Sequence, residues 1–136
     1  MAKDQPEFQL QKAVCRYLDV QFPSALYLSD TVASLKLTGA QQGRNKSIQK
    51  QGFQCPDLLI LEPNDYHYGL FIELKAKTIY KKNGEFLKND HVAGQFKTIQ
   101  ELRERGYHAT FAIGFDHAKE IIDTHFANKT PRPWKS

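Results

Sequence analysis

A short apolar stretch of the sequence carries an acidic and a basic residue close together. In the run Phe71-Ile72-Glu73-Leu74-Lys75, side chains would alternate across an extended strand, so Glu73 and Lys75 would share one face. The apolar residues beside them would point to the other face and could anchor the strand in a core. Such a rigid element suits a site that must hold its geometry closely. A Glu and a Lys on the wet face of a surface strand would give the same pattern.

A second carboxylate precedes this run. Asp57 opens the apolar run 57–61, directly after Pro56. The short turn from Pro63 to Gly69 favours a hairpin of the two runs, in which Asp57 and Glu73 meet across the strand pair. Two carboxylates close together repel each other, and the pKa of one rises unless a cation lies between them. Mg²⁺ would resolve this repulsion, because it accepts one or two carboxylates and keeps several waters.

This arrangement predicts metal-dependent hydrolysis of a phosphodiester. A bound metal lowers the pKa of a water and shields the phosphoryl oxygens from an attacking anion. Lys75 could stabilise the charge that develops on the phosphate, or orient or deprotonate the water. An ordinary lysine is protonated at neutral pH, so the electrostatic role needs no change in its pKa. A general-base role would need a strongly lowered pKa.

The periodicity of apolar residues predicts alternating helices and strands in one α/β domain. The first helix should begin at Gln5, with Asp4 as its cap, and end at Val20. The long polar stretch Ser34–Gln54 should be a loop, with a turn of helix from Asn45 to Gln51. The other predicted elements are strands at 25–28, 57–61, 70–76 and 107–113, a basic loop or hairpin at 77–88, and helices from Asp90 to Gly106 and from Asp116 to Phe126.

Two stretches of basic residues flank the acidic pair. The net charge is +4, and no acidic residue lies between Thr31 and Pro56. Five lysines against Glu85 alone lie between Lys75 and Lys88. These stretches could bind phosphates, with Tyr80 and Phe86 as wedges, or they could be a solvated face. The candidate DNA-binding residues are Arg44, Lys46, Lys50, Lys77, Lys81, Lys82 and Lys88.

Composition excludes several other classes of protein. The 136 residues suit one domain. No apolar run approaches the roughly 18 residues of a membrane span, and no secretory signal opens the chain. Cys15 and Cys55 cannot complete a four-ligand zinc site, and the five histidines show no ligand spacing. We expect two reduced, partly buried thiols and a cytoplasmic protein, in the host cytoplasm if the chain is viral.

The order of these residues resembles the PD-(D/E)xK nuclease motif, in the form found in its VRR-NUC branch of small virus-type nucleases. Fifteen residues separate Asp57 from Glu73, and the resemblance extends from about Glu7 to Ile122. The elements that carry it, in chain order, are Glu7, Pro56-Asp57, Glu73-Leu74-Lys75, Gln95, and the step from Leu102 through Gly106 to Tyr107.

The resemblance implies a restriction-endonuclease-like mixed β-sheet flanked by helices over residues 1–126, with an extended tail at 127–136. It implies Mg²⁺ or Mn²⁺ as cofactor, held by Asp57, Glu73, the backbone carbonyl of Leu74, and Glu7. Lys75 and Gln95 would complete the catalytic set. The implied activity is endonucleolytic cleavage of DNA, including branched DNA. Since one active site cuts one strand, the resemblance also suggests a homodimer.

Alternatives remain open for two of these residues. Glu7 falls at the third helical position after Asp4, where it would complete a capping box. It also lies on the stripe of Leu10, Val14 and Leu18, and an inward carboxylate needs a partner such as a metal. Gln95 could be a core amide with satisfied hydrogen bonds.

The sequence departs from the family pattern at one place, and two other functions remain as alternatives. VRR-NUC domains often carry a glycine just before the Pro-Asp pair, where this chain has Gln54 and Cys55. The shape of that approach loop is therefore not implied by the resemblance. A non-catalytic nucleic-acid-binding module of the same fold would bind DNA with a steep salt dependence and need no metal. An RNase is the third alternative.

Overall fold

The structure is a computed structural model that describes residues 5–29, 38–85 and 89–129. Four helices and four strands lie within these ranges. In chain order they are α1 (Gln5–Gln21), β1 (Tyr27–Ser29), α2 (Gly39–Ile48), β2 (Leu58–Ile60), β3 (Leu70–Lys75), α3 (Asp90–Glu104), β4 (His108–Ile113) and α4 (Phe115–Ala127).

The strands form one mixed sheet in the order β1-β2-β3-β4. The β1–β2 and β2–β3 pairs are antiparallel, and the β3–β4 pair is parallel. Because α3 connects β3 to β4, these two strands can run in the same direction. The predicted α/β class, with a mixed sheet flanked by helices, is confirmed.

One face of the sheet is covered by α1 and α4. The residues of β3 that point to this face are fully buried against apolar side chains of both helices. Full burial of a Leu, Ile or Val side chain stabilises a fold by about 1.5–3 kcal/mol. The cluster consists of Val14, Leu18, Leu58, Ile60, Leu70, Ile72, Leu74, Ala112, Ala118 and Ile122.

The other face of the sheet is covered by α3. The Asn89 side chain caps this helix by accepting hydrogen bonds from the backbone N–H groups of His91 and Val92. The helix ends before Gly106, whose φ of +92° breaks it. The buried cluster on this face consists of Ile79, Val92, Ile99, Leu102, Ala109 and Phe111.

The prediction of a loop before β2 is wrong for residues Gly39–Ile48, which form the helix α2. Thr38 and Gln41 form a capping box, in which each side chain accepts a hydrogen bond from the backbone N–H of the other residue. None of the α2 side chains is buried. The helix therefore has no apolar stripe that sequence periodicity could detect, and its predicted position at 45–51 was too late in the chain.

The other predicted elements agree with the structure to within two residues at nearly every boundary. The first strand lies at Tyr27–Ser29 rather than 25–28, and the loop after β3 contains a tight turn from Lys81 to Gly84. The Asp4 cap, Phe86, Lys88 and residues 130–136 of the predicted tail lie outside the described residues. None of the helices in the described ranges is long and apolar enough to cross a membrane.

Replacing Gly106 with Ala should destabilise the protein. An L residue at this φ is strained, and a Cβ would lie 2.6 Å from the Tyr68 ring. We expect the free energy of unfolding in urea to fall by about 1–3 kcal/mol. Gly43→Ala is the matched control, because Gly43 lies within α2 with open space around it. That change should raise the free energy of unfolding by about 0.5–1 kcal/mol. Equal effects of the two substitutions would contradict the backbone strain expected at position 106.

Candidate active site

The register of β2 on β3 brings the two predicted acids together. Leu58 pairs with Ile72 in the antiparallel ladder, so the next residues outward on the two chains, Asp57 and Glu73, lie opposite each other. The Asp57 Oδ2 atom accepts a hydrogen bond of 2.8 Å from the Leu74 backbone N–H. Because β2 begins only at Leu58, the Asp57 carboxylate takes the place that a strand beginning earlier would fill.

Glu73 and Lys75 occupy the predicted common face of β3. Glu73 is 5% exposed and Lys75 is 7% exposed. Phe71, which shares their parity on the strand, packs in the cluster beside α3. Leu74 points the other way, into the cluster beneath α1 and α4. The predicted alternation is therefore confirmed, and both charged side chains lie largely out of water.

The surroundings of Glu73 favour its protonated form. Burial raises the pKa of Glu73 well above the usual carboxyl value, and the charge of Asp57 and a hydrogen bond with Asp57 raise it further. The positive charge of Lys75 lowers this pKa, and the charge of Glu7 raises it. Burial and like charge disfavour the ionised acid unless a cation compensates them. Without such a cation, Glu73 keeps its proton at neutral pH.

The backbone of β3 aims a carbonyl toward the acids. In a strand, the N–H and C=O of one residue point to the same side. The Leu74 N–H points to Asp57. The Lys75 carbonyl points the other way, toward Gly114 at the end of β4, whose N–H it accepts at 2.9 Å. The Leu74 carbonyl therefore lies on the side of Asp57, and its role as a metal ligand stays a prediction.

Glu7 reaches the site from the first turn of α1 without being buried. The predicted inward orientation is wrong, because the side chain is exposed. Its Oε2 atom nevertheless lies 3.4 Å from the backbone N–H of Ala76, the residue after β3. Its charge also acts on Glu73. Glu7 thus lies at the edge of the acidic pair, and its role as a ligand stays a prediction.

Gln95 is buried on α3 with one end unpaired. It is 6% exposed, and its Nε2 atom lies 3.1 Å from the His91 Nε2 atom. Its Oε1 atom is buried and has no hydrogen-bond partner among the described residues. Among the described residues the Gln95 amide is therefore only half satisfied, and its catalytic role stays a prediction. The contact with His91 was not predicted, although the spacing of four residues places both on one helix face.

Gln11 is a second residue that sequence reasoning missed. It is 8% exposed, and its Nε2 atom donates to Ser29 Oγ at 2.6 Å and to the Asp57 carbonyl at 3.2 Å. It thereby connects α1 and β1 to the backbone of Asp57. A polar residue within the apolar side of α1 was the available signal, because buried amides need partners.

The approach to Asp57 is held by α3. The Gln54 backbone N–H donates to Thr98 Oγ1 at 3.1 Å. The Gln54 side chain lies over Gly94, where a Cβ would come within 2.2 Å of its Nε2 atom. This packing defines the shape of the loop that the sequence left open, and Pro56 is buried between it and the acid.

Three histidines meet at the far end of the sheet, although their spacing in sequence gave no sign of it. The rings of His67 and His108 stack at 4.9 Å, and His125 lies 6.3 Å from His108. Burial, with the neighbouring histidines and Arg103, lowers the pKa of His108 to about 4. His108 pairs with the first residue of β3, so this cluster is remote from Glu73 and Lys75 at the other end of that strand.

Comparison with known proteins identifies the fold. No protein-family model and no curated protein matches the sequence. One solved structure, described as "VRR_NUC domain protein", matches this chain with a TM-score of 0.62 at 21% sequence identity. The match covers 90% of this chain and 89% of the other. The chain has the fold of a VRR_NUC domain. The fold predicted from the ordered motif is thereby confirmed.

Within this VRR_NUC fold, the donor atoms at the acidic pair fit a hard divalent cation. No group of three His, Cys, Asp or Glu side chains in the described ranges is arranged to hold a metal ion. Asp57, just before β2, and Glu73 on β3 would instead offer carboxylate oxygens, and the Leu74 carbonyl would offer a third oxygen from the backbone. Mg²⁺ takes one or two carboxylates and keeps waters as its other ligands. Within the described ranges, Cys15 and Cys55 are not joined in a disulfide, and both are partly buried, as expected from the sequence.

Replacing Glu73 with Gln should change the pH dependence of stability in the metal-free protein. An acid whose pKa rises on folding contributes fully below its unfolded pKa, about 4.3, and loses that contribution as pH increases toward the folded pKa. Wild type should therefore lose free energy of unfolding relative to Glu73→Gln from about pH 5 upward. Urea unfolding at several pH values, with a chelator present, measures the difference.

The control for this experiment is Glu120→Gln, at an exposed position on α4. Its pH profile should follow that of wild type. If Glu73→Gln and wild type instead had parallel profiles from acidic to alkaline pH, a protonated Glu73 in the folded protein would be ruled out.

Proposed function

We propose that this protein is a metal-dependent nuclease that hydrolyses DNA phosphodiester bonds at Asp57, Glu73 and Lys75. The observation that carries the proposal is the pair of opposed carboxylates, Asp57 just before β2 and the buried Glu73 within β3, with the buried Lys75 beside them. A structural role gives no reason to bury an acid against a second, like-charged acid. The VRR_NUC fold supports the same activity by analogy.

The proposed cofactor is Mg²⁺ or Mn²⁺. Asp57, Glu73 and the Leu74 carbonyl would hold it, with Glu7 as a further ligand at the edge. A bound divalent cation supplies a water of lowered pKa and withdraws charge from the phosphodiester. Cation binding requires Glu73 to give up the proton that burial and Asp57 favour.

Lys75 is proposed to stabilise the charge that develops on the phosphate. Its side chain lies on the same face of β3 as Glu73, and its positive charge lowers the pKa of Glu73. Burial strengthens such an interaction, because the local dielectric is lower than that of water. Gln95 has an unpaired Oε1 atom, which could orient the attacking water by accepting a hydrogen bond. His91 would then fix the rotation of the Gln95 amide from the other end.

DNA is the proposed substrate because stretches of exposed basic residues flank the acids in the sequence. Arg44 and Lys46 are on α2, where the side chains are exposed or partly exposed. Such cations bind phosphates of any sequence, with an affinity that falls as salt increases. The exposed cations assigned to DNA binding are Arg44, Lys46, Lys50, Lys77, Lys81 and Lys82.

The finer features of the proposal concern the form of the substrate. We propose endonucleolytic cleavage, with selectivity for branched DNA. Since one site cuts one strand, paired cuts would require a homodimer with a two-fold axis. We also propose a reducing compartment such as the cytoplasm, in which cysteines that are not joined in a disulfide stay reduced.

Lys75→Ala should abolish cleavage while leaving the fold intact. Plasmid incubated with Mg²⁺ or Mn²⁺ should be nicked by wild type and cut at least about 100-fold more slowly by the variant, as when one stabilising donor is removed from an active site. Lys12→Ala removes the same charge from an exposed position on α1 and should cut like wild type. Equal cutting by wild type and Lys75→Ala would reject the proposed site.

Calorimetry separates the nuclease from a non-catalytic binding module. Wild type should bind Mn²⁺ with measurable heat, and Asp57→Asn should lose that heat. A binding module would show no heat that depends on the carboxylate, yet would still bind DNA with a steep salt dependence. A matched panel of single-stranded, duplex, flap and four-way-junction DNA, with RNA of the same sequences, then tests the substrate. Faster cleavage of RNA would favour the RNase alternative.

A further inference from the structure

A pocket of about 260 Å³ lies between the approach loop and the outer side of α3. Its volume is just below the roughly 300–1,000 Å³ of typical small-molecule sites. This space suits one nucleotide rather than a length of strand. The lining residues are Lys50, Gln51, Gly52, Phe53, Lys97, Glu101, Leu102 and Arg105.

The pocket combines an apolar wall with a cationic rim. Leu102 is buried, and Phe53 is 37% exposed, so an aromatic ring is available at the surface. Lys50 and Lys97 are exposed and form no ion pair with any residue in the described ranges. An aromatic ring stacks on a nucleobase of any sequence, and lysines attract its phosphate. The pocket can therefore bind both parts of a nucleotide, the base by stacking and the phosphate by charge.

The remaining polar groups of the rim limit what the pocket can take. Arg105 donates from one guanidinium nitrogen to the Glu101 carbonyl at 2.8 Å, which fixes the side chain along α3. Glu101 also lines the pocket, and its carboxylate would repel a phosphate placed beside it while accepting a hydrogen bond from a base amino group. A bound phosphate would therefore favour the lysines over Glu101.

The pocket is connected to the candidate active site by a short, anchored segment. Four residues lead from Phe53 to Asp57, which is at most about 14 Å of chain. Gln54, between them, is fixed on Thr98 and Gly94. Along α3, the seven residues from Gly94 to Glu101 rise by about 10 Å. At 3.4 Å per nucleotide step of a duplex strand, Phe53 is therefore at most about four nucleotides from Asp57.

We propose that this pocket binds an unpaired nucleotide of the substrate strand, with its base on Phe53 and its phosphate on Lys50 and Lys97. The role of that nucleotide rests on the proposed nuclease function, whereas the binding itself does not. A branch point or an overhang exposes such an unpaired base, and a continuous duplex does not. The pocket would thereby select DNA with unpaired nucleotides near the cleaved bond.

Fluorescence anisotropy with labelled oligonucleotides tests this proposal in the presence of a chelator, so that no strand is cut. The probes are a blunt duplex and the same duplex with a single-stranded overhang. Phe53→Ala should weaken binding of the overhang probe about five-fold or more, as expected when stacking on an aromatic residue is lost. Binding of the blunt duplex should change less than two-fold.

Lys97→Ala provides an independent variant, because Lys97 is exposed and its loss does not threaten the fold. It should weaken overhang binding and lower the salt slope by about one for that probe. Lys12→Ala, with the same change in charge on α1, should behave as wild type. Equal weakening of both probes by Lys97→Ala, or no effect of either pocket variant on the overhang probe, would overturn the proposal.

Two further measurements distinguish other outcomes. Deoxyadenosine monophosphate should compete weakly; competition as strong as that of the overhang would show a site for free nucleotides and overturn the strand assignment. A selective loss of overhang binding in a protein that cuts no DNA would retain the pocket and reject the nuclease. Metal-dependent cleavage by wild type, with overhang binding unchanged in both pocket variants, would retain the nuclease and reject the pocket.

Discussion

A buried carboxylate, Glu73, held against the partly buried carboxylate of Asp57 imposes the constraint on which the rest of this structure depends. Their repulsion and their loss of hydration both oppose folding, and a cation or a proton must compensate them. Asp57 and Glu73 stay together because the β2–β3 register admits no other neighbour. The opposing free energy comes from the faces of the same strands that are buried beneath α1 and α4. Stability and function therefore use opposite sides of β3.

The late start of β2, at Leu58, is as important as the acids. Since the ladder stops at Leu58, the N–H of Leu74 has no strand partner and is satisfied by Asp57. The Leu74 carbonyl faces the same open side. A longer β2 would pair both groups and leave no space for a cation. A break in the sheet thus provides backbone donors and acceptors at a rigid position, which loops alone provide less well.

The sequence predicted what alternation and turn length control. The shared face of Glu73 and Lys75 follows from the two-residue period of a strand, and the meeting with Asp57 follows from a short hairpin. The helix α2 was missed because it is stabilised by a capping box and not by an apolar stripe. Contacts across α3, such as those of Gln54 with Thr98 and Gly94, depend on tertiary packing, which periodicity does not contain. Periodicity also does not predict that Glu7 is exposed. Its side chain lies beside Ala76, just beyond the end of β3.

The two faces of the sheet contribute differently to the position of Asp57. From the α1 side, Gln11 holds its carbonyl at 3.2 Å. From the α3 side, Thr98 and Gly94 hold the loop that leads into it. The acid is thus fixed on both sides by residues that do no chemistry themselves, and a shift of α3 would move the loop and the acid together. A ligand bound between that loop and α3 would act on the same segment. The proposed recognition of a strand and the position of Asp57, the proposed metal ligand, would therefore be linked through residues 50–57.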